Sequence, residues 1–436
     1  MIYEYVPAWL LLVVLGMIVL HAPLTVFLGS QWPAIATGVK AWKEVLIVVA
    51  GLIVIADVTR RRKWGELASD KLFWLIVGYV LLHMLAAIWS STGLASIMAG
   101  LAIDLRYVAY FAIVYAYLML YPAYRQSFIK VGIVGAIIVV GFACLQLLLP
   151  KDALTVLGYS DSTIAPYGTI DKNPDYIRVN STMRGPNPLG AYAGIVLACV
   201  VAYAVANTHR LRAGRLRWII GAGIVASVIA LWISYSRSAL VAAIVAVGVV
   251  LAAQHMRRLT DKRSLVALAV GTLLVVALGV AVRNTSFVQN VILHDNPSTG
   301  AMVDSNEAHV DSLSDGTVRM LAQPFGAGIG STGSASLFGD KPLIIENQYL
   351  LIAHEVGWLG ITLFAMIYAI LIHRLWQHRQ EWLAVGLFAS GIGLALIGIL
   401  LPVWVDDTVS IIWWGLVAVV LAKGVKRGTK TNKKAA

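Results

Sequence analysis

Charge is what this sequence has least of. Lys, Arg, Asp and Glu make up 13% of its 436 residues, where a soluble protein carries roughly 25%. So few charges cannot coat a soluble globule of this size, and that class is excluded. Cysteine is nearly missing too. Cys144 and Cys199 both sit in apolar runs, where Cys acts as a small hydrophobe, and no disulfide is expected. Phosphate-binding motifs are absent: there is no Walker sequence and no G-x-G-x-x-G after a strand, so neither ATP nor nicotinamide binding is supported. Ligand spacing for a metal is absent as well. His373 and His378 lack partners at that spacing, and no metal or other cofactor is expected.

Apolar runs are what is present. Hydrophobic residues make up 59% of the chain, and a helix needs about 20 of them in a row to span a bilayer. The pattern predicts an all-α integral membrane protein of about 12 transmembrane helices. Their expected ranges are 7–29, 43–58, 72–91, 101–121, 129–149, 187–207, 218–235, 238–254, 264–283, 346–371, 382–401 and 409–424. The first has no small-residue cleavage site and only Glu4 ahead of it, so it reads as a retained helix.

The net charge of +12 invites a nucleic-acid reading, which the placement of the charges removes. Basic clusters recur in every second loop: Arg60–Lys63 with Lys71, Arg125 with Lys130, Arg210–Arg217, Arg257–Arg263, Arg374 with Arg379, and the tail from Lys423. These loops hold 23 of the 34 basic residues against six acids, leaving 11 basic against 16 acidic residues elsewhere. That alternation is the positive-inside rule. It puts the basic loops and both termini in the cytoplasm and excludes nucleic acid as a partner. The expected organisation is 1–283 for spans one to nine with an outer loop at 150–186, then 284–345 as a large periplasmic or extracellular loop. Spans ten to twelve follow at 346–424, and a basic cytoplasmic tail at 425–436.

Function is expected on the outer face, because the cytoplasmic loops are short and basic as topology alone would make them. The large loop between spans nine and ten should hold short helices. Val310, Leu313, Val318 and Leu321 are spaced for one over 304–323, and "PFGAGIGSTGSAS" after it reads as a glycine-rich loop. Ionisable residues cluster near the outer ends of the spans: Arg178 and Arg184 before span six, Arg237 in the turn "SYSRSAL", Glu346 at the start of span ten, and Asp406 and Asp407 before span twelve. His309 and Arg319 fall on the loop helix. A guanidinium matches phosphate with a planar fork of donors, so the arginines suit a lipid-linked phosphate or diphosphate. Snorkelling, or pairing with a nearby Asp, is the plainer account of each one. Arg237 has no acid close in sequence.

Glu346 stands where the helix dipole favours the ionised form, as a general base would require. A helix cap or a salt bridge is the alternative. Asp406 and Asp407 read as acceptor-side or structural groups. His354 and Glu355 lie inside span ten and are expected to pair with a neighbouring helix, while Gly357 and Gly360 would let another helix approach.

Four blocks in order resemble the O-antigen ligase and O-antigen polymerase superfamily: "RVNSTMRGPNPLGAYAG" at 178–194, "SYSRSALVA" at 234–242, "QPFGAGIGS" at 323–331 and "ENQYLLIAHEVGWLG" at 346–360. The resemblance implies a metal-independent membrane glycosyltransferase of a bacterial cytoplasmic (inner) membrane, working in surface polysaccharide assembly. It would move a glycan from undecaprenyl diphosphate to an acceptor hydroxyl on lipid A core or on another glycan, with other polysaccharide-assembly proteins as candidate partners. Arg178, Arg184, Arg237, Arg319 and Asn347 would bind the diphosphate and substrate, and Glu346 or His309 would be the base. Ligases commonly carry His-Asn where this chain has Glu346-Asn347, and the family often has Arg where this chain has His309. Both departures tilt the reading toward a polymerase-like or divergent member. The alternative class is a twelve-span transporter or lipid-linked oligosaccharide flippase, since "ADVTRRRKWG" (56–65) faintly resembles the Asp-Arg-Gly-Arg-Arg loop of major-facilitator carriers.

Overall fold

The computed structural model describes residues 2–170, 173–211, 214–259 and 305–422. The expected span 264–283, the first part of the large loop and the tail 425–436 lie outside the described residues.

The described chain is mostly helical. In order the main helices are α1 (Ile2–Met17), α2 (His21–Gln31), α3 (Trp42–Arg60), α4 (Lys71–Trp89), α5 (Leu94–Leu120), α6 (Arg125–Gln146), α7 (Pro186–Ala206), α8 (Leu216–Ile233), α9 (Arg237–Leu259), α10 (Ser305–Ala322), α11 (Gln348–Gln377), α12 (Trp382–Leu400) and α13 (Asp407–Leu421). Every expected span except 264–283 falls on one of these. Among the described residues, eight helical stretches are long and apolar enough to cross a membrane: α1 with α2, α4, α5, α6, α7, α8, α11 and α12. α3 carries Lys43, Glu44 and Asp57 and is not one of them, while Arg237–Ala253 and α13 are shorter apolar helices.

The core centres on α13. Its sequence DTVSIIWWGLVAVVL is apolar all round after the first turn, and all of it is buried, as expected for a helix with no lipid- or water-facing stripe. Trp413 and Trp414 pack with Trp404, Tyr107, Phe364 and Tyr368 at ring separations of 5.0–6.4 Å. Gly415 makes room for this. A Cβ there would lie 2.6 Å from the Tyr110 ring.

One end of the bundle carries the basic loops and is held by charge. Arg374 at the end of α11 grips Asp70, the N-cap of α4, with both terminal nitrogens at 2.6 and 2.5 Å. Burial would raise the Asp70 carboxyl, but this fork outweighs it and holds it below the ordinary aspartate range. Arg125 pairs with Glu381, and Asp57 accepts from Arg60, Arg61 and Tyr121.

The opposite end carries the irregular structure. The loop 150–186 contains an antiparallel hairpin that the sequence reading left out: β1 (Gly168–Ile170) pairs with β2 (Asn173–Arg178). Its Thr169, Ile170, Tyr176 and Ile177 are of the β-branched and aromatic types that suit a pleated pair. The helix expected at 304–323 is present as α10. Gly316 in its middle admits Leu350 of α11, whose Cδ1 would lie 2.9 Å from a Cβ placed there.

Candidate active site

The turn between α8 and α9 is the first part of the site. Tyr235 takes a left-handed conformation (φ 47°), and Ser234 supports it by donating from Oγ to Leu231 O at 2.6 Å and accepting from the Ser236 amide at 3.2 Å. α9 then begins at Arg237, which is half-buried. β2 runs into this turn. The Val179 amide donates to Ile233 O at 3.1 Å, and Arg178 donates from Nε to Ser234 O at 2.9 Å and from a terminal nitrogen to Asn187 Oδ1 at 2.6 Å. Gly190 of α7 lets the three meet, since a Cβ there would stand 2.8 Å from both Ser234 Oγ and Ala239 Cβ. Arg178 and Asn187, nine residues apart, therefore form one unit with the 234–237 turn, which begins 56 residues after Arg178.

The start of α11 is the second part. Asn347 is the N-cap: its Oδ1 accepts from the Tyr349 and Leu350 amides, both at 2.9 Å, and its Nδ2 donates to Ile399 O at 2.6 Å, at the end of α12. Both ends of the amide are thus engaged by the protein itself. Glu346, half-buried, precedes it, and its backbone amide donates to Ser312 Oγ of α10 at 3.3 Å. Gln348 accepts from the Trp404 amide at 2.8 Å. Asn347→Ala is expected to cost about 0.5–2 kcal/mol as a lost cap, read as a lower midpoint in thermal unfolding of the solubilised protein. An unchanged midpoint would show that the cap does not hold α11.

α10 carries Arg319, which is exposed, and the backbone of His309. The His309 side chain lies outside the described residues.

Asp406 and Asp407 form the third part, where a charge network is buried. Asp406 caps α13, its Oδ1 accepting from the Val409 amide at 2.9 Å, and its Oδ2 lies 3.7 Å from Arg184 Nε. Burial raises the Asp406 carboxyl above the ordinary aspartate range, with the charge of Asp407 pushing the same way and that of Arg184 opposing. Asp407 Oδ2 lies 3.1 Å from Lys43 Nζ, 3.1 Å from His21 Nε2 and 3.9 Å from Arg106. The His21 tautomer follows from Trp42, whose Nε1–H can only donate and reaches His21 Nδ1 at 3.0 Å. Nδ1 is therefore the acceptor, and Nε2 carries the hydrogen toward Asp407. Arg106 also donates to Val405 O at 2.5 Å and lies 3.4 Å from Glu44.

Sequence reasoning named the two aspartates and Arg184 but missed His21, Lys43, Glu44 and Arg106. The signal was available, because ionisable residues within a membrane span are functional or paired by default.

The glycine-rich loop is the fourth part. α11 breaks at Gly357 (φ 69°), and the loop fills the break. Ala327 N donates to His354 O at 2.6 Å, Gly328 N to Glu355 O at 3.1 Å, and Trp358 N to Pro324 O at 2.9 Å. Gly326, Gly328 and Gly330 all have positive φ. The close approach expected at Gly357 is thus made by this loop and not by another helix. The physical reason is that a broken helix leaves backbone groups that need partners where water is scarce. On its other side the loop meets α5 and the connection before it: Gly100 admits Ile329 and Gly330, and Ser90 and Thr92, between α4 and α5, both donate to Ile329 O at 2.7 and 3.0 Å.

Among the described residues no group of three or more His, Cys, Asp or Glu side chains gathers as a metal-binding set. Residues 222–365 match a family model described as O-Antigen ligase. That stretch runs from α8 through the 234–237 turn, α10, the glycine-rich loop and the break in α11. No curated protein matches the chain.

Proposed function

We propose, from the O-antigen ligase domain at residues 222–365, that this multi-pass bacterial membrane protein of surface polysaccharide biosynthesis transfers a glycan from undecaprenyl diphosphate to an acceptor hydroxyl at the outer face of the cytoplasmic membrane. The observation that carries the reading is the meeting of Arg178 with the 234–237 turn, at the bundle end opposite the basic loops. Two guanidinium groups from separate elements, Arg178 and Arg237, then serve a leaving diphosphate.

In the transfer, an acceptor oxygen forms a bond to the anomeric carbon while the bond from that carbon to the phosphate oxygen breaks. Negative charge grows on the departing lipid diphosphate. Fixed cationic donors stabilise it and need no reorganisation as the charge develops. The acceptor hydroxyl gives up its proton to a base, a role we assign to Glu346, next to the cap of α11, with His309 on α10 as the other choice. Arg184, facing Asp406, and Arg319, on the exposed side of α10, contact the donor further from the reacting bond. Asn347 acts by fixing the direction in which Glu346 leaves the helix. The acceptor is lipid A core or another glycan, and Glu346-Asn347 in place of His-Asn favours the polymerase-like choice.

The reading also takes twelve spans, with 264–283 as the ninth and both termini cytoplasmic. It treats 284–345 as an outer loop and 425–436 as a cytoplasmic tail. Single cysteines introduced at 160 and 338 should react with an impermeant thiol reagent added outside whole cells, and one at 213 should not. Labelling at 213 would invert the topology and sink the outer-face site. The direct test of function supplies the purified protein with an undecaprenyl diphosphate-linked oligosaccharide and a glycan acceptor. Transfer to the acceptor with release of undecaprenyl diphosphate is expected. Movement of the donor across a vesicle membrane with its diphosphate linkage intact would instead make the protein a flippase.

A further inference from the structure

Two carboxyl groups outside the proposed catalytic set meet beneath the glycine-rich loop. Glu355 of α11 is 2% exposed and Asp104 of α5 is 8% exposed. The Gly330 backbone, whose amide Glu355 binds, packs on Gly100, one turn before Asp104 on α5, and that contact brings Asp104 beside Glu355. Glu355 Oε1 accepts from the Gly330 amide at 3.0 Å and the Thr332 amide at 3.4 Å. One carboxylate thus ties α11 directly to the loop that fills its break.

Among the described residues, the other groups around the pair supply no cation. From α4, Tyr79 and His83 face it, and His83 Nδ1 donates to Tyr79 O at 2.8 Å. From α5 comes Tyr107, buried like Tyr79. Arg106, next in sequence, is committed to Val405 O and to Glu44 and Asp407. On α11 itself the His354 carbonyl accepts from the Ala327 amide, and Arg319 of α10 is exposed. Asp104 Oδ2 has no hydrogen-bond partner among the described residues. A buried carboxylate oxygen without a donor is costly. Two carboxylates side by side and shut off from water cannot both ionise. A single proton between them removes both problems.

We propose that Glu355 and Asp104 hold one proton between them, and that this proton-bridged pair pins the glycine-rich loop across the break in α11. The pair consists of positioning residues, because it touches the loop backbone and not the reacting bond. Its consequence lies at both ends of that loop. Upstream is α10 with Arg319, and downstream the chain reaches Glu346. Holding the loop fixes where both stand. The link to activity rests on the glycosyltransferase reading above, but the pinning itself does not.

The test is hydrogen exchange at the loop amides of the full chain in detergent, read as protection factors so that intrinsic base catalysis is divided out. Glu355→Gln keeps an oxygen for the two loop amides and brings its own N–H for Asp104. It should hold protection within about threefold of wild type, whereas Glu355→Ala should lower it about tenfold or more. Raising the pH should strip protection from wild type by removing the shared proton, and should spare Glu355→Gln, which has none to lose. Asp104→Asn, also isosteric, should behave as Glu355→Gln does and guards against a folding defect peculiar to position 355. If glycan transfer is present, its decline at alkaline pH should shift upward in Glu355→Gln, a change that a merely structural role would not produce. Exchange in Glu355→Gln as fast as in Glu355→Ala, or wild-type protection independent of pH, would overturn the shared proton. A protein that transfers no glycan but shows the expected exchange would overturn the glycosyltransferase reading alone.

Discussion

Arg237→Ala is expected to lower glycan transfer by about 10²–10³-fold, the usual loss when one preorganised donor to a developing anion is removed. The argument begins with position. Arg237 is the first residue of α9, in a turn built by Ser234 and the left-handed Tyr235, and Arg178 is bound to the carbonyl of Ser234 in the same turn. A guanidinium set on such a turn loses little freedom on meeting a diphosphate. Charge grows on the leaving group only as the bond breaks, so the loss should appear in kcat, with a smaller change in KM for the lipid-linked donor. Arg237→Lys keeps the charge but not the fork, and should recover only part of the rate. The measurement is initial-rate transfer by the purified variants, with thermal unfolding to show that they remain folded. A folded Arg237→Ala that transfers at the wild-type rate would remove Arg237 from the site.

The second large effect concerns stability. Asp407→Ala is expected to destabilise the protein by about 3–5 kcal/mol, because removing one partner of a buried ion pair strands the other charge. Lys43 is 3% exposed and Arg106 is 7% exposed, and both lie around Asp407 Oδ2. With the carboxylate gone, Lys43 keeps Lys40 O and Glu44, and Arg106 keeps Val405 O and Glu44. Two cations would then share one acid in a buried setting. Lys43→Met in the Asp407→Ala background should restore part of the loss, since the stranded charge leaves with it. A double-mutant cycle by thermal unfolding checks this, and additive losses would show that the two do not interact. Asp407→Asn should fall between, because the amide still accepts from His21 Nε2–H but offers Lys43 no charge.

Much of the fold was legible before any coordinates. Apolar runs of helical length marked the spans, and the described helices fall where those runs are, because a segment in lipid must satisfy its backbone internally and a helix does so. The caps were read less well. Sequence reading offered Glu346 as a cap and Asp406 as an acceptor-side or structural group, whereas Asn347 caps α11 and Asp406 caps α13. The α10 helix came from spacing alone. What the sequence by itself determined was therefore local: which stretches are helices, where they begin, and which loops carry the basic charge.

The tertiary structure decided which polar residues meet. No spacing rule pairs Arg178 with Ser234, or His21 with an aspartate 386 residues later, because those contacts depend on which helices pack together. Sequence reading expected Glu355 to pair with a neighbouring helix, but the groups that donate to it are the Gly330 and Thr332 amides of the glycine-rich loop. That a loop is brought there follows only from its packing between α11 and α5. The use of Gly357 was likewise hidden. A glycine in an apolar run reads equally as a helix contact or a break, and only the loop lying across it shows which. Backbone preferences act over a few residues and are written in neighbours, whereas a buried charge is stable or costly according to what the fold brings beside it.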